Sequence, residues 1–266
     1  MLINKLTKLL EQALKSLHYF HRLQTSLQIH YNFLMLLQII LLHYLKHPLH
    51  LDKKASDLDI KYICPLHGPV WRTDIDYFID KYDKWSSYEP EEKGVLIVYG
   101  SMYGNTEKAA ENLAMRLVEK GMSNITMYDA SKTHVSYLIA DAFKYSHIVL
   151  ASATYNLNIY PPVENFIRDM KALNLQKRTV AVIENGTWAP RSGQLIRELL
   201  GEMKEMNVLD NKILIKSSMK EENVDEMEAL AYEINILSSK LDRLIFVISR
   251  FLVMAKGRFV CHLFSL

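Results

Sequence analysis

The chain has 266 residues and a formal net charge of +2, enough length for one or two domains with a sizeable core. Its two cysteines, Cys64 and Cys261, form no CxxC pair, which excludes a disulfide framework and suits a reducing cytoplasm. The charge is split: residues 1–55 carry +5, residues 241–266 carry +3 and the middle carries −6. The basic flanks are too sparse and too diluted with leucine to read as nucleic-acid binding.

Residues 1–55 read as an atypical Leu/His-rich helical flank holding six of the ten histidines. The apolar run Asn32–Leu45 falls short of the ~20 residues that a membrane span needs. It starts too late, and lacks the cleavage site, for a signal peptide. His43 and His47 share a helix face, but two ligands leave zinc unsatisfied. Residues 72–92 read as a polar and aromatic linker helix plus turn.

From residue 93 strands alternate with helices. The strands fall at 94–99, 124–128, 147–151, 179–183 and 212–216. The helices fall near 105–120, 132–144, 162–172, 190–205 and 222–239. This alternation implies an α/β fold with a five-stranded, doubly wound parallel sheet and right-handed crossovers. Residues 241–266 read as an atypical apolar and basic tail. Both flanks fit reading-frame remnants, amphipathic membrane-surface helices, or helices covering surface left bare by a lost domain. The abrupt change at both borders favours the first.

Three loops follow strands in this pattern. The first, Ser101-Met102-Tyr103-Gly104-Asn105-Thr106, opens a helix. Backbone N–H groups and the helix dipole there favour an anion, and Gly104 lets a ligand approach the backbone. The turn has no lysine and is not a GxxxxGK[ST] loop, so a phosphate monoester fits better than a nucleoside triphosphate. The second loop carries Thr154, Tyr155 and Asn156, then Tyr160. It has no glycine from Ala153 to Tyr160, so only Asn156 or Asn158 takes a positive φ at modest cost. The third carries Asn185, Gly186, Thr187 and Trp188. Ligands of doubly wound sheets sit at the carboxyl ends of the strands. Phosphate donors beside the aromatic faces of Tyr155 and Trp188 fit a phosphate-bearing flat heterocycle, FMN being the simplest.

The three loops resemble those of the C-terminal flavodoxin-like domain of the flavodiiron proteins, or A-type flavoproteins. The resemblance covers roughly 56–240 and includes Ile63-Cys64-Pro65-Leu66-His67-Gly68-Pro69-Val70-Trp71. In that family this segment closes a metallo-β-lactamase-like domain and its histidine ligates a diiron site. The family passes electrons from FMN to the irons and reduces dioxygen or nitric oxide. Two departures stand out. Ala153 replaces a proline common in relatives. Only 66 residues precede His67, and they hold no HxExDH motif.

The resemblance therefore implies a truncated relative. Residues 56–92 would be the end of the lactamase-like domain plus linker, and residues 93–240 the FMN-binding domain. It would be an electron-transfer module without a complete diiron site, with His67 a lone family-matching metal ligand. The implied partners are an electron donor such as a rubredoxin-like or flavin reductase protein, and a second copy in a homodimer. The competing readings are a non-catalytic or membrane-associated remnant without flavin, and the flavin subunit of a split flavodiiron enzyme. No catalytic residue of the chain itself is expected, since the cofactor carries the chemistry.

Overall fold

The structure is a computed structural model that describes residues 59–64 and 70–238. The flanks expected at 1–55 and 241–266, and His67, lie outside the described residues. The chain divides between Ser87 and Tyr88 into two compact units. In the first, Ile63 and Trp71 exchange two backbone hydrogen bonds of 3.0 and 2.9 Å as an antiparallel bridge. Helix α1 (Ile75–Ser86) follows, and its Phe78 packs against the Trp71 ring with centroids 3.8 Å apart.

The second unit alternates as the sequence predicts. Its elements are β1 (Glu92–Gly100), α2 (Asn105–Glu119), β2 (Ile125–Asp129), α3 (Val135–Lys144), β3 (Tyr145–Tyr155), β4 (Asn158–Ile159), α4 (Pro161–Ala172), β5 (Arg178–Asn185), α5 (Ser192–Gly201) and β6 (Met206–Ile215). Residues 221–238 form the last described helix, α6. The strands run parallel in the order β2-β1-β3-β5-β6. This is the flavodoxin-like arrangement. Val95–Val98 and Ile148–Ala151 are fully buried, as continuous apolar strands covered on both faces must be. Leu113 of α2 and Leu230 of α6 join Ile97, Val149 and Ile183 in one core cluster. Leu138 of α3 and Phe166 and Ile167 of α4 are buried as well.

Several elements differ from expectation; β3 is longer than 147–151 at both ends and α3 starts at Val135 rather than near 132. Strand β4, not predicted, is a two-residue antiparallel extension on β3. Helix α5 ends at Gly201 instead of running to 205. Strand β6 starts at Met206 instead of 212, because its register shifts between Val180↔Val208 and Val182↔Lys212. Leu209, Asp210 and Asn211 thus bulge opposite Ala181, and the bulge breaks the alternation that would reveal the first half of the strand. Arg197 of α5 clamps the bulge, donating to the carbonyls of Leu209 and Asn211 at 2.6 and 2.7 Å.

At the N-terminal ends of the strands sits Arg178, 1% exposed. Its guanidinium donates to the carbonyls of Ala142 and Phe143, at the end of α3, and to that of Tyr88, at 2.9, 2.7 and 2.7 Å. The negative end of the α3 dipole suits the cation. Burial draws its pKa down to about 10, with Glu89 and Glu91 opposing. His147 of β3 is buried close by in the strand register, beside Val95 and Thr179. Its Nδ1 shares a 2.9 Å hydrogen bond with Ser146 Oγ, and its Nε2 has no partner among the described residues. Burial pulls this imidazole down to about 4.

Candidate functional site

Strands β1, β3 and β5 are neighbours, so the loops that follow them share the C-terminal edge of the sheet. All thirteen residues expected to hold the cofactor lie on these three loops or their strand and helix ends.

The first loop turns through Gly104, whose φ of 83° is left-handed, a conformation that glycine adopts without strain. Gly104 N–H donates to Ser101 Oγ at 3.0 Å, so the serine braces the turn from within. The first helical bond runs from Lys108 N–H to the Gly104 carbonyl. The amides of Asn105, Thr106 and Glu107 therefore precede the helical ladder and remain available to an anion. Tyr103 is 89% exposed, whereas Thr106 is buried. Tyr99 Oη donates to Glu107 Oε1 at 2.7 Å, which ties the nearest carboxylate to the end of β1. Burial and the Glu107 carboxylate hold the Tyr99 phenol well above its ordinary pKa.

The second loop is a hairpin. Thr154 pairs with Ile159 and Tyr155 with Asn158, leaving Asn156 and Leu157 at the turn with φ of 48° and 60°. The positive φ thus falls on Asn156 as expected, but on Leu157 rather than Asn158. Two-residue hairpin turns of type I′ demand positive φ at both central positions, and this register overrides the preference against a left-handed leucine. Tyr160 N–H donates to Ser152 Oγ at 3.2 Å. Its ring fills the space over Gly100, where a Cβ would stand 2.5 Å from Tyr160 Cδ1. Tyr155, half exposed, meets the Tyr160 ring edge-on with centroids 6.2 Å apart.

The third loop is anchored at its start. Gly186 N–H donates to the Ile215 carbonyl and Asn185 Nδ2 to the Ser217 carbonyl, both at 3.0 Å. Thr187 is exposed, and Trp188 at its tip is 89% exposed. At its end Thr154 Oγ1 accepts from the backbone N–H groups of Arg191 and Ser192, each at 3.1 Å. The sequence reading missed Ser192 and Glu184, which surround Thr154. The sequence starts this helix near 190, whereas α5 opens after Arg191, which makes no side-chain cap of its own.

The edge thus combines open amide donors with two almost fully exposed aromatic rings and the half-exposed Tyr155. It suits a flat ring on a phosphate-bearing chain. No group of three or more His, Cys, Asp or Glu side chains placed to hold a metal ion occurs among the described residues.

Residues 96–225 match the flavodoxin domain family. An uncharacterized protein of Methanocaldococcus jannaschii is 32% identical over 173 residues, covering 65% of this chain and 43% of the relative. The rubredoxin-oxygen oxidoreductase of Megalodesulfovibrio gigas is 27% identical over 145 residues, covering 54% of this chain and 36% of the relative. A solved structure of a flavo-diiron protein variant from Thermotoga maritima has a TM-score of 0.60 at 26% identity, covering 72% of this chain and 48% of that chain. The chain spans less than half the length of these curated relatives.

Proposed function

We propose that this flavodoxin-like domain, a relative of the flavodiiron proteins over its matched part, binds FMN at the C-terminal edge of its sheet and serves electron transfer. The observation that carries the reading is that Tyr103, at the open amides that begin α2, and Trp188, on the loop after β5 at the same sheet edge, are each 89% exposed. Flat aromatic faces at a strand-end edge with open donors suit a flat ring.

Bound FMN would supply the redox chemistry, and the protein would orient and tune it. The amides of Asn105, Thr106 and Glu107 would hold the phosphate, with Ser101 and Gly104 shaping the turn. Tyr155 and Trp188 would offer aromatic faces to the ring, and Asn156 and Thr187 polar groups. A neutral donor set suits a monoester, whose charge the helix dipole favours. The electron donor on this reading is a rubredoxin-like or flavin reductase protein, the former being in keeping with the name of the Megalodesulfovibrio relative. A homodimer and a cytoplasmic location complete the reading. Among the described residues no helix is long and apolar enough to cross a membrane.

The test is direct. FMN-free protein refolded with excess FMN is expected to quench flavin fluorescence at one FMN per chain. An unquenched titration overturns the reading.

A further inference from the structure

Thr154 lies in the second loop, but its hydroxyl is engaged with the third. A threonine hydroxyl has one proton and two lone pairs. Both acceptor sites are taken by the Arg191 and Ser192 N–H groups at 3.1 Å. The proton is within reach of Ser192 Oγ at 3.2 Å and Glu184 Oε1 at 3.4 Å. No hydrogen-bonding capacity is left for a ligand. The two amides belong to the start of α5, where orphan N–H groups need acceptors. Thr154 acts as that helix's cap from a different strand.

Two further contacts show that the third loop closes around this hydroxyl. A Cβ on Gly186 would stand 3.2 Å from Thr154 Oγ1 and 2.9 Å from Pro190 Cα. Ser192 Oγ donates to the Ser152 carbonyl at 3.1 Å, a second stitch between the end of β3 and the start of α5. Trp188 sits between these anchored ends with most of its surface in solvent, so the ends of the loop set its position.

We infer that Thr154 is a positioning residue, a latch that fixes the third loop and with it Trp188, and not a flavin ligand. The flavin part of this inference rests on the FMN reading above. The latch itself does not.

Thr154→Val keeps the shape and removes the latch, whereas Thr154→Ser keeps the hydroxyl. Hydrogen exchange of FMN-free protein reads the latch alone. In Thr154→Val the amides of 186–192 are expected to exchange about tenfold faster, the size of effect a lost buried acceptor produces, while β1 and β3 keep wild-type protection. FMN affinity falls about tenfold in the same variant, the flavin midpoint potential shifts, and Thr154→Ser restores all three readouts. Unchanged exchange in Thr154→Val overturns the latch. Exchange restored but FMN affinity still lost in Thr154→Ser also overturns it, since that outcome means direct contact with the flavin. A wild-type protein that binds no FMN defeats the FMN reading, while the exchange result still decides the latch. Should Thr154→Val not fold, Gly186→Ala strains the same closure from the other side. Faster exchange confined to 186–192 then supports the latch, and native exchange overturns it.

Discussion

The two ends of the central sheet handle polar groups in opposite ways. At the N-terminal ends of the strands a buried guanidinium, Arg178, is bound by backbone carbonyls, and the buried His147 ring keeps one nitrogen without a partner among the described residues. At the C-terminal ends the amides that open α2 stay available, and Tyr103 and Trp188 stand in solvent. One end spends its polar groups on holding elements together. The other keeps donors and flat faces unused by the fold itself, which is where a ligand gains the most. Some groups at that end, Thr154 and Asn185 among them, are used as the other end uses its own, to hold loops in place.

The comparison breaks first if Arg178 proves dispensable. Arg178→Met strips the cation from its carbonyls and is expected to cost about 4 kcal/mol, in the range for leaving buried polar groups unpaired. Urea denaturation reads this, and FMN affinity in the folded fraction should not move. A midpoint equal to wild type removes the contrast between the ends.

His147 gives the next largest effect, and its sign follows from linkage. Its folded pKa of about 4 lies below the ordinary imidazole value of 6.5. The unfolded chain therefore takes up a proton that the folded chain refuses. Stability is full above pH 6.5 and declines as pH falls toward 4, by about 3 kcal/mol in total. Denaturation midpoints measured from pH 7.5 to 4.5 should show this slope, and His147→Leu should flatten it.

Two substitutions at the other end should touch binding more than folding. Thr106→Asp sets a negative charge against the phosphate and is expected to weaken FMN binding by about 2 kcal/mol, roughly thirtyfold. Since Thr106 is buried, Thr106→Asn separates packing cost from charge. Equal affinities of the Asp and Asn variants would show that no anion sits there. Trp188→Ala is the mildest. Its effect on stability should stay within about 0.5 kcal/mol, as for other exposed positions. An anaerobic redox titration should instead find the flavin potential shifted more than phosphate affinity. Complete loss of FMN, with an unchanged potential in what remains bound, speaks against stacking by Trp188.

Much of the fold was legible because apolar runs such as Val95–Val98 and helical stripes such as Ala109, Ala110 and Leu113 carry their period in the sequence itself. The glycine of the first turn marked its left-handed residue for the same local reason. What escaped depends on partners far away in sequence. Leu157 turns left-handed only because β4 pairs back on β3. The early start of β6 is masked by a bulge that Arg197 secures from another element. The hydrogen bonds of Thr154 run to residues 37 and 38 positions later, and no local pattern around it marks them.

The bulge in β6 has a consequence beyond register. Among the described residues β6 pairs only with β5 and closes one side of the sheet. A long, flat, uncovered strand invites identical chains to add on, strand upon strand, until they leave solution. Here the bulge bends the strand midway, and exposed Asp210 and Lys212 put charge where a newcomer would pair. By holding the carbonyls of Leu209 and Asn211, Arg197 keeps that bend from relaxing into a regular ladder. The bulge that disguises the strand in the sequence thus also makes its edge a poor template for a further strand.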